Sequence, residues 1–333
     1  MTLVATAILA WELGEFFKHR GEKSWCREKS VVAKTNHGVD FTSIAAAVEA
    51  APNNSPQKFC ILIRKGEYYE NVFIGREKTN LVFVGEGMGK TTIMSNRTVD
   101  EVLNGTQVAT LLVKGKGFMA RDLTIKSSAA SDKDHRGALE NWAHQSIFYR
   151  CSFMGSHATI WAYEGRQFYR DCQIQGSHYF IQGDAPAIFQ QCRINSFKIH
   201  AEEKVVISGQ SQRSLMSNSA FVFHLCEFFT MRSVIASSEE TYLGGAPEAY
   251  SKTVVMQSFL DASIAGWFVN DSTPHTVYFG EFNNRGPGAN FRTNSPCIHF
   301  IDDLSTASHF TVRVFLNGTN WLPQDVPYAA DIV

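Results

Sequence analysis

Charge is scarce in this 333-residue chain. Only 19% of residues are Asp, Glu, Lys or Arg, and 31 basic against 32 acidic side chains leave a formal net charge of -1. There is no dense basic run, so nucleic-acid coating driven by bulk positive charge is excluded. Cysteine is sparse as well. Seven are too few for a disulfide scaffold, and none forms a CxxC pair, so a structural zinc ribbon has no ligand set. Long apolar runs are missing. The longest, Leu3 to Trp11, is about half of the roughly 20 residues a bilayer span needs, which argues against a membrane partner. No Lys or Arg precedes that stretch, so it is a poor match to a signal-peptide core. Residues 1–29 read as a leader or linker, and 30–333 as a single domain.

Apolar residues are plentiful at 44%, which excludes a disordered chain. Phe dominates the aromatics, 25 against 10 Tyr and 6 Trp, so many plain rings need burial. Five N-x-S/T triplets, at Asn53, Asn96, Asn104, Asn270 and Asn317, are compatible with secretion. One short helix is expected where Phe41, Ile44, Ala45 and Val48 recur at helical spacing, with Asp40 or Thr42 as cap and Pro52 as terminator. After it nearly everything reads as short β-branched or aromatic strands ending in turn formers. Examples are Cys60–Ile63, Leu81–Val84, Thr110–Val113, Leu123–Ile125, Lys204–Ile207 and Thr253–Met256.

An internal repeat decides the fold class. Phe148-Tyr-Arg-Cys-Ser-Phe-Met-Gly-Ser-His157 returns as Phe168-Tyr-Arg-Asp-Cys-Gln-Ile-Gln-Gly-Ser-His178. Looser copies follow at Ile188–Ile194 and Phe221–Cys226. Cys151, Cys172 and Cys192 are 21 and 20 residues apart. A period near 20 with no helix inside fits one coil of a parallel β-solenoid, and the Leu pattern of leucine-rich repeats is absent. The expected architecture is all-β, a parallel β-helix with the short helix closing its N-terminal end. Phe148, Phe168 and Phe189 should lie inside successive coils with Cys151, Cys172 and Cys192. The cysteine ladder reads either as core packing or as bridges between neighbouring coils. Two glycine motifs fail as nucleotide sites. Gly85-Glu-Gly-Met-Gly-Lys-Thr91 is one residue short of a phosphate loop, and Gly115-Lys-Gly-Phe-Met-Ala120 lacks a following helix. The first reads as a turn between coils.

A set of motifs in order carries a resemblance. They include Gly66-x-Tyr-x-Glu70-Asn-Val, Val84-Gly-x-Gly-Met88, Gly117-Phe-x-Ala-Arg-Asp-Leu-Thr124, Arg166-Gln-Phe-Tyr-Arg-Asp-Cys172, Tyr242-Leu-Gly244, Met256-Gln-Ser-Phe259, Gly266-Trp267, Gly286-Pro-Gly-Ala-Asn290 and Trp321-Leu-Pro323. Over about residues 31 to 330 the chain resembles the plant-type pectin methylesterases, the pectinesterases that de-esterify homogalacturonan. The resemblance implies a right-handed β-helix with a pectin-binding cleft along one face, secreted to the cell wall. It implies no cofactor and a monomer whose partner is pectin.

The positions that carry the family's chemistry are changed. By resemblance, one Asp is the nucleophile, a second is general acid and then base, two Gln stabilise the oxyanion, an Arg orients the nucleophile and a Trp lines a sugar subsite. The family's K-H-Q-A-V-A-L aligns with Lys133-Asp-His135-Arg-Gly-Ala-Leu139, which puts His135 at the first Gln. Its Y-Q-D-T aligns with Ser156-His157-Ala158-Thr159, so His157 stands at the second Gln and Ala158 at the acid/base Asp. Its D-F-I-F-G becomes Tyr179-Phe-Ile-Gln-Gly183, with Tyr179 at the nucleophile. Its L-G-R-P-W becomes Leu243-Gly-Gly-Ala-Pro247, with Gly245 at the Arg and Pro247 at the Trp. Ala158 can neither attack nor shuttle a proton, so impaired or absent turnover is the leading expectation. An esterase using His157 or His135 as general base is one alternative, and an interaction protein without carbohydrate affinity another. A metal held by His135, His157 and His178 is disfavoured, because strand alternation should turn His178 away from Tyr179.

Overall fold

The computed structural model describes residues 26, 28–35, 38–95, 109–128, 137–198, 204–231, 240–290 and 294–333. Most of the leader segment, His135 and the triplets at Asn96 and Asn104 lie outside these. The triplets at Asn53, Asn270 and Asn317 all fall on exposed positions.

The β-branched and aromatic segments form short strands that stack coil upon coil, every strand pairing parallel to its neighbour. All six strands read from the sequence are present; Leu81–Val84 has the expected ends, and the other five differ by a residue or more at one end or both. A seven-stranded sheet makes one face, running in order through Val72–Ile74, Leu111–Val113, Leu139–Asn141, Ile160–Ala162, Ile181–Gly183, Val205–Gln210 and Thr241–Gly244. A larger sheet folds along its length into two further faces. The fold line is a column of left-handed residues, Asp122, Arg150, Asp171, Gln191, Leu225 and Gln257. Each directly precedes an inward side chain. Ser146–Met154 shows the bend, pairing with Gln167–Arg170 before Arg150 and with Gln173–Gly176 after it. The result is the right-handed parallel β-helix expected of parallel strands joined by crossovers. Gly85–Thr91 is a turn between Leu81–Val84 and Thr91–Ser95, with Gly87 and Gly89 at positive φ.

The helix covers Ile44–Ala50, and its cap is Ser43 rather than Asp40 or Thr42. Ser43 Oγ accepts from Ala46 N, while the Glu70 carboxylate, one coil on, accepts from Ser43 Oγ and from the amides of Ile44 and Ala45. Four orphan N–H groups at a helix start need such acceptors, and Glu70 supplies them across the coil boundary. Asp40 is engaged instead by Val31 N at 2.7 Å. Phe41 stays outside the helix in a bridge to Val32, and Ala47 takes the buried place expected of Ala45.

Inside the coils, Phe148, Tyr169, Phe189 and Phe223 form a parallel stack with centroids 5.0, 4.5 and 4.9 Å apart. Phe168 is not in it. The coil of Cys172 has one more residue, Asp171, between its aromatic pair and its cysteine. Counting back from the bend therefore brings Tyr169, not Phe168, opposite Phe148. Phe168 is buried on the outer side, in register with Ile147 and Ile188.

The cysteine ladder is core packing. Cys151, Cys172, Cys192 and Cys226 are free and buried, and the thiols donate to carbonyls of the preceding coil at Ala120, Phe148, Tyr169 and Phe189, over 3.2–3.5 Å. The disulfide present, Cys26–Cys60, ties the first described residue to the strand Phe59–Ile63. Burial pushes the Cys172 and Cys226 thiols well above the ordinary range, so neither forms the reactive thiolate. Native protein should therefore leave these four thiols unreacted with a thiol-specific dye over hours, and denaturant should release them together with Cys297. Prompt labelling of any of the four without denaturant would contradict this packing.

The outer side of the second face carries its own apolar strip, including Leu62, Val84, Ile147, Phe168, Ile188, Val222 and Val254. The C-terminal segment covers it with Ala307, Val312, Leu316, Leu322 and Val326. This strap crosses coil after coil. Asp325 pairs with Arg121 at 3.1 Å, and Tyr328 packs edge-on against Phe168. Gln190 bonds both backbone groups of Ala329, donating to its carbonyl at 2.8 Å and accepting from its N–H at 2.9 Å. Gln257 does the same to Val333. His224, between the two glutamines, accepts at Nδ1 from Gln190 and donates from Nε2 to Gln257.

Candidate functional site

The turns that open Ile160–Ala162 and Ile181–Gly183 carry Ala158 and Tyr179, equivalent positions one coil apart. Both adopt left-handed backbone, φ 45° and 43°, which only Gly, Asn and Asp take easily. Ala158 is fully buried and presents no polar atom. Tyr179 reaches toward the next coils and lies across two glycines. A Cβ placed on Gly209 would come within 2.8 Å of Tyr179 Cδ1, and one placed on Gly245 within 2.4 Å of its hydroxyl. The same Cβ on Gly209 would touch Pro247 at 3.4 Å. The fold therefore brings His157, Ala158, Tyr179, Gly245 and Pro247 to one place on the seven-stranded face. His135 lies outside the described residues.

His157, Trp161, His178, Tyr179 and Gln182 line a pocket of about 310 Å³. His178 shares the pocket with Tyr179, contrary to the alternation expected from the sequence. The left-handed turn at Tyr179 breaks the strand pleat, so neighbours no longer point to opposite faces. His178 Nδ1 donates to the Lys204 carbonyl at 2.8 Å, and the ring stands 6.4 Å from His157 and 4.6 Å from Tyr179, centroid to centroid. Gln182 donates to the Tyr179 carbonyl at 2.6 Å. Burial raises the Tyr179 phenol above its usual range, so it stays protonated at physiological pH. Among the described residues no group of three or more His, Cys, Asp or Glu is placed to hold a metal ion.

Sequence reasoning missed one wall. Trp142, Tyr163 and Trp161 stack face to face, at 3.9 Å and then 5.1 Å between centroids. Lys114 lies 5.5 Å over Trp142, whose indole N–H donates to Glu140. Trp142 and Tyr163 each follow a strand of the seven-stranded face, a spacing set by coil length that no local pattern announces.

Residues 29–319 match the family model described as Pectinesterase, so the chain belongs to the pectinesterase family. It is 37% identical over 291 residues to a probable pectinesterase/pectinesterase inhibitor of Arabidopsis thaliana, covering 85% of this chain and 55% of that protein. A pectinesterase/pectinesterase inhibitor of Prunus persica is 36% identical over 312 residues, 91% of this chain and 60% of the relative. The chain thus spans little more than half the length of these curated relatives. The solved pectin methylesterase from carrot superposes with a TM-score of 0.86 at 31% identity, covering 93% of this chain and all of the carrot one. Among the described residues no helix is long and apolar enough to cross a membrane.

Proposed function

We propose that this pectinesterase-family chain binds homogalacturonan of the plant cell wall without hydrolysing its methyl esters. The family reaction is hydrolysis of pectin methyl esters, and its route needs a carboxylate that attacks and a partner that shuttles the proton. The observation that carries the reading is the pocket lining: two imidazoles, an indole, a phenol and an amide, with no carboxylate. Ala158 has no acid or base to offer, and a phenol raised by burial is a poor nucleophile. Each lost oxyanion donor would cost a further 100- to 1,000-fold, roughly, in turnover. What supports retained binding is the intact scaffold and a pocket with two aromatic walls, the usual partners of a sugar ring's apolar face.

Highly esterified pectin incubated with purified protein between pH 5 and 8 should release no methanol above buffer, while pectin beads should retain the protein. Installing Asp at 158 and 179 alone should leave turnover far below that of an active relative, because Gly245, His135 and His157 still stand where the resemblance expects Arg and two Gln. Time-dependent methanol release abolished by His157→Ala would establish an esterase with a different base and overturn the proposal. Failure to bind pectin would leave an interaction protein instead.

A further inference from the structure

We propose that the 310 Å³ pocket is a subsite for one free uronate ring, selecting de-esterified over methyl-esterified galacturonan. This rests on the reading that the chain retains pectin, and it names the form retained. The pocket is at the small end of ligand sites, the scale of one ring rather than of a chain. Its two aromatic walls are fixed before any ligand arrives. Trp161 is clamped by the Tyr163–Trp142 stack, and Tyr179 rests on the floor of Gly209 and Gly245. Rigid walls lose little side-chain entropy on binding.

The polar groups favour an anion. A backbone carbonyl only accepts, so the bond to Lys204 places a proton on His178 Nδ1. In the neutral ring Nε2 is then an acceptor, which a carboxylate cannot use. A carboxylate instead draws a second proton onto Nε2 and meets an imidazolium, a charge-assisted bond about twice as strong as a neutral one. An ester has no charge to draw that proton. The groups facing His178 present no carboxylate that would compete with or repel an incoming anion. They are His157 on the preceding coil, Tyr179 beside it and Lys204 on the following coil, whose ammonium lies 5.5 Å over Phe268. Glu140, in register with Trp161, is engaged by the Trp142 indole. Gln182 is oriented by its donation to Tyr179, which leaves the amide oxygen to accept from a ring hydroxyl.

Calorimetric titration with galacturonate hexamer and with its fully methyl-esterified counterpart tests this. Two buffers of different ionisation enthalpy count protons taken up. The free acid should bind about tenfold more tightly, with net proton uptake and a marked loss of affinity at high salt. Trp161→Ala should lower that affinity at least tenfold, and His178→Gln should abolish both the preference and the proton uptake. Trp161→Phe, which keeps a ring in place, should retain most of the affinity and serves as the control if the alanine variant misfolds. Equal affinity for the two hexamers would overturn the uronate subsite while leaving pectin binding intact. Binding of neither would remove the underlying reading as well. Full affinity in Trp161→Ala would locate the sugar elsewhere and also overturn the proposal.

Discussion

Gly245→Ala should destabilise the protein by about 1–3 kcal/mol, the usual cost of overpacking, although it adds a single methyl group. Gly245 does not occupy the left-handed region, so alanine meets no backbone penalty there. The cost is the contact alone: the new Cβ would stand 2.4 Å from the Tyr179 hydroxyl and 3.2 Å from two ring carbons. The phenol must shift to relieve it, and the same ring edge already lies close over Gly209, where an added Cβ would meet Cδ1 at 2.8 Å and Cε1 at 3.3 Å. Tyr179→Ala removes the obstacle. In a denaturant series the double variant should therefore lose less stability than the sum of the singles, by about 1 kcal/mol or more. Strictly additive losses would mean that Tyr179 does not fill this space in solution.

Gln257→Ala should cost a comparable amount, from a position far from the pocket. It leaves the buried His224 Nε2–H without its acceptor, about 1–3 kcal/mol, and unfastens Val333, which is exposed enough for water to take over its backbone bonds. Urea denaturation should show the loss, and a variant within about 0.5 kcal/mol of the parent would mean that the strap does not seat on Gln257. The histidine adds a pH dependence of defined sign. Desolvation lowers the His224 pKa below the ordinary histidine value, about 6.5, with the Gln257 bond opposing and Arg170 adding to the shift. The unfolded chain therefore binds the proton first. Stability from this group is complete above about pH 6.5 and declines as pH falls toward the folded-state value. The slope is at most about 1.4 kcal/mol per pH unit. Protonation would also set Nδ1–H against the Gln190 amide hydrogens. His224→Asn should lose this part of the slope; an unchanged slope would assign the acid sensitivity to other groups.

The coil architecture was legible because stacking imposes a period: cysteines 21 and 20 residues apart mark successive coils whatever else varies. Which aromatic entered the stack was not. One extra residue, Asp171, exchanged Phe168 for Tyr169, and text alignment of Phe-Tyr-Arg with Phe-Tyr-Arg could not reveal it. The helix cap was misread because its decisive acceptor, Glu70, comes from another coil. At the site, the candidate positions were named by resemblance to the family motifs, and the fold brings together those that are described. The phenol lying on Gly209, the turn of His178 into the pocket and the Trp142–Tyr163–Trp161 wall depend on contacts between coils. Such contacts leave no local periodicity to read.

The strap has a consequence for how the molecule comes apart. In a bare solenoid each coil touches only its neighbours, so melting can begin at an open end and spread stepwise. Here one segment is fastened to the coil of Arg121, to those of Phe168 and Gln190, and to the coil of Gln257. Arg121 and Asp325 are 204 residues apart in sequence. No coil between these anchors can open without loosening contacts that hold the others. A stack of semi-independent repeats is thereby converted into one cooperative unit, and its long-range closure, the contact most expensive in chain entropy, is favoured only once the coils beneath it have formed.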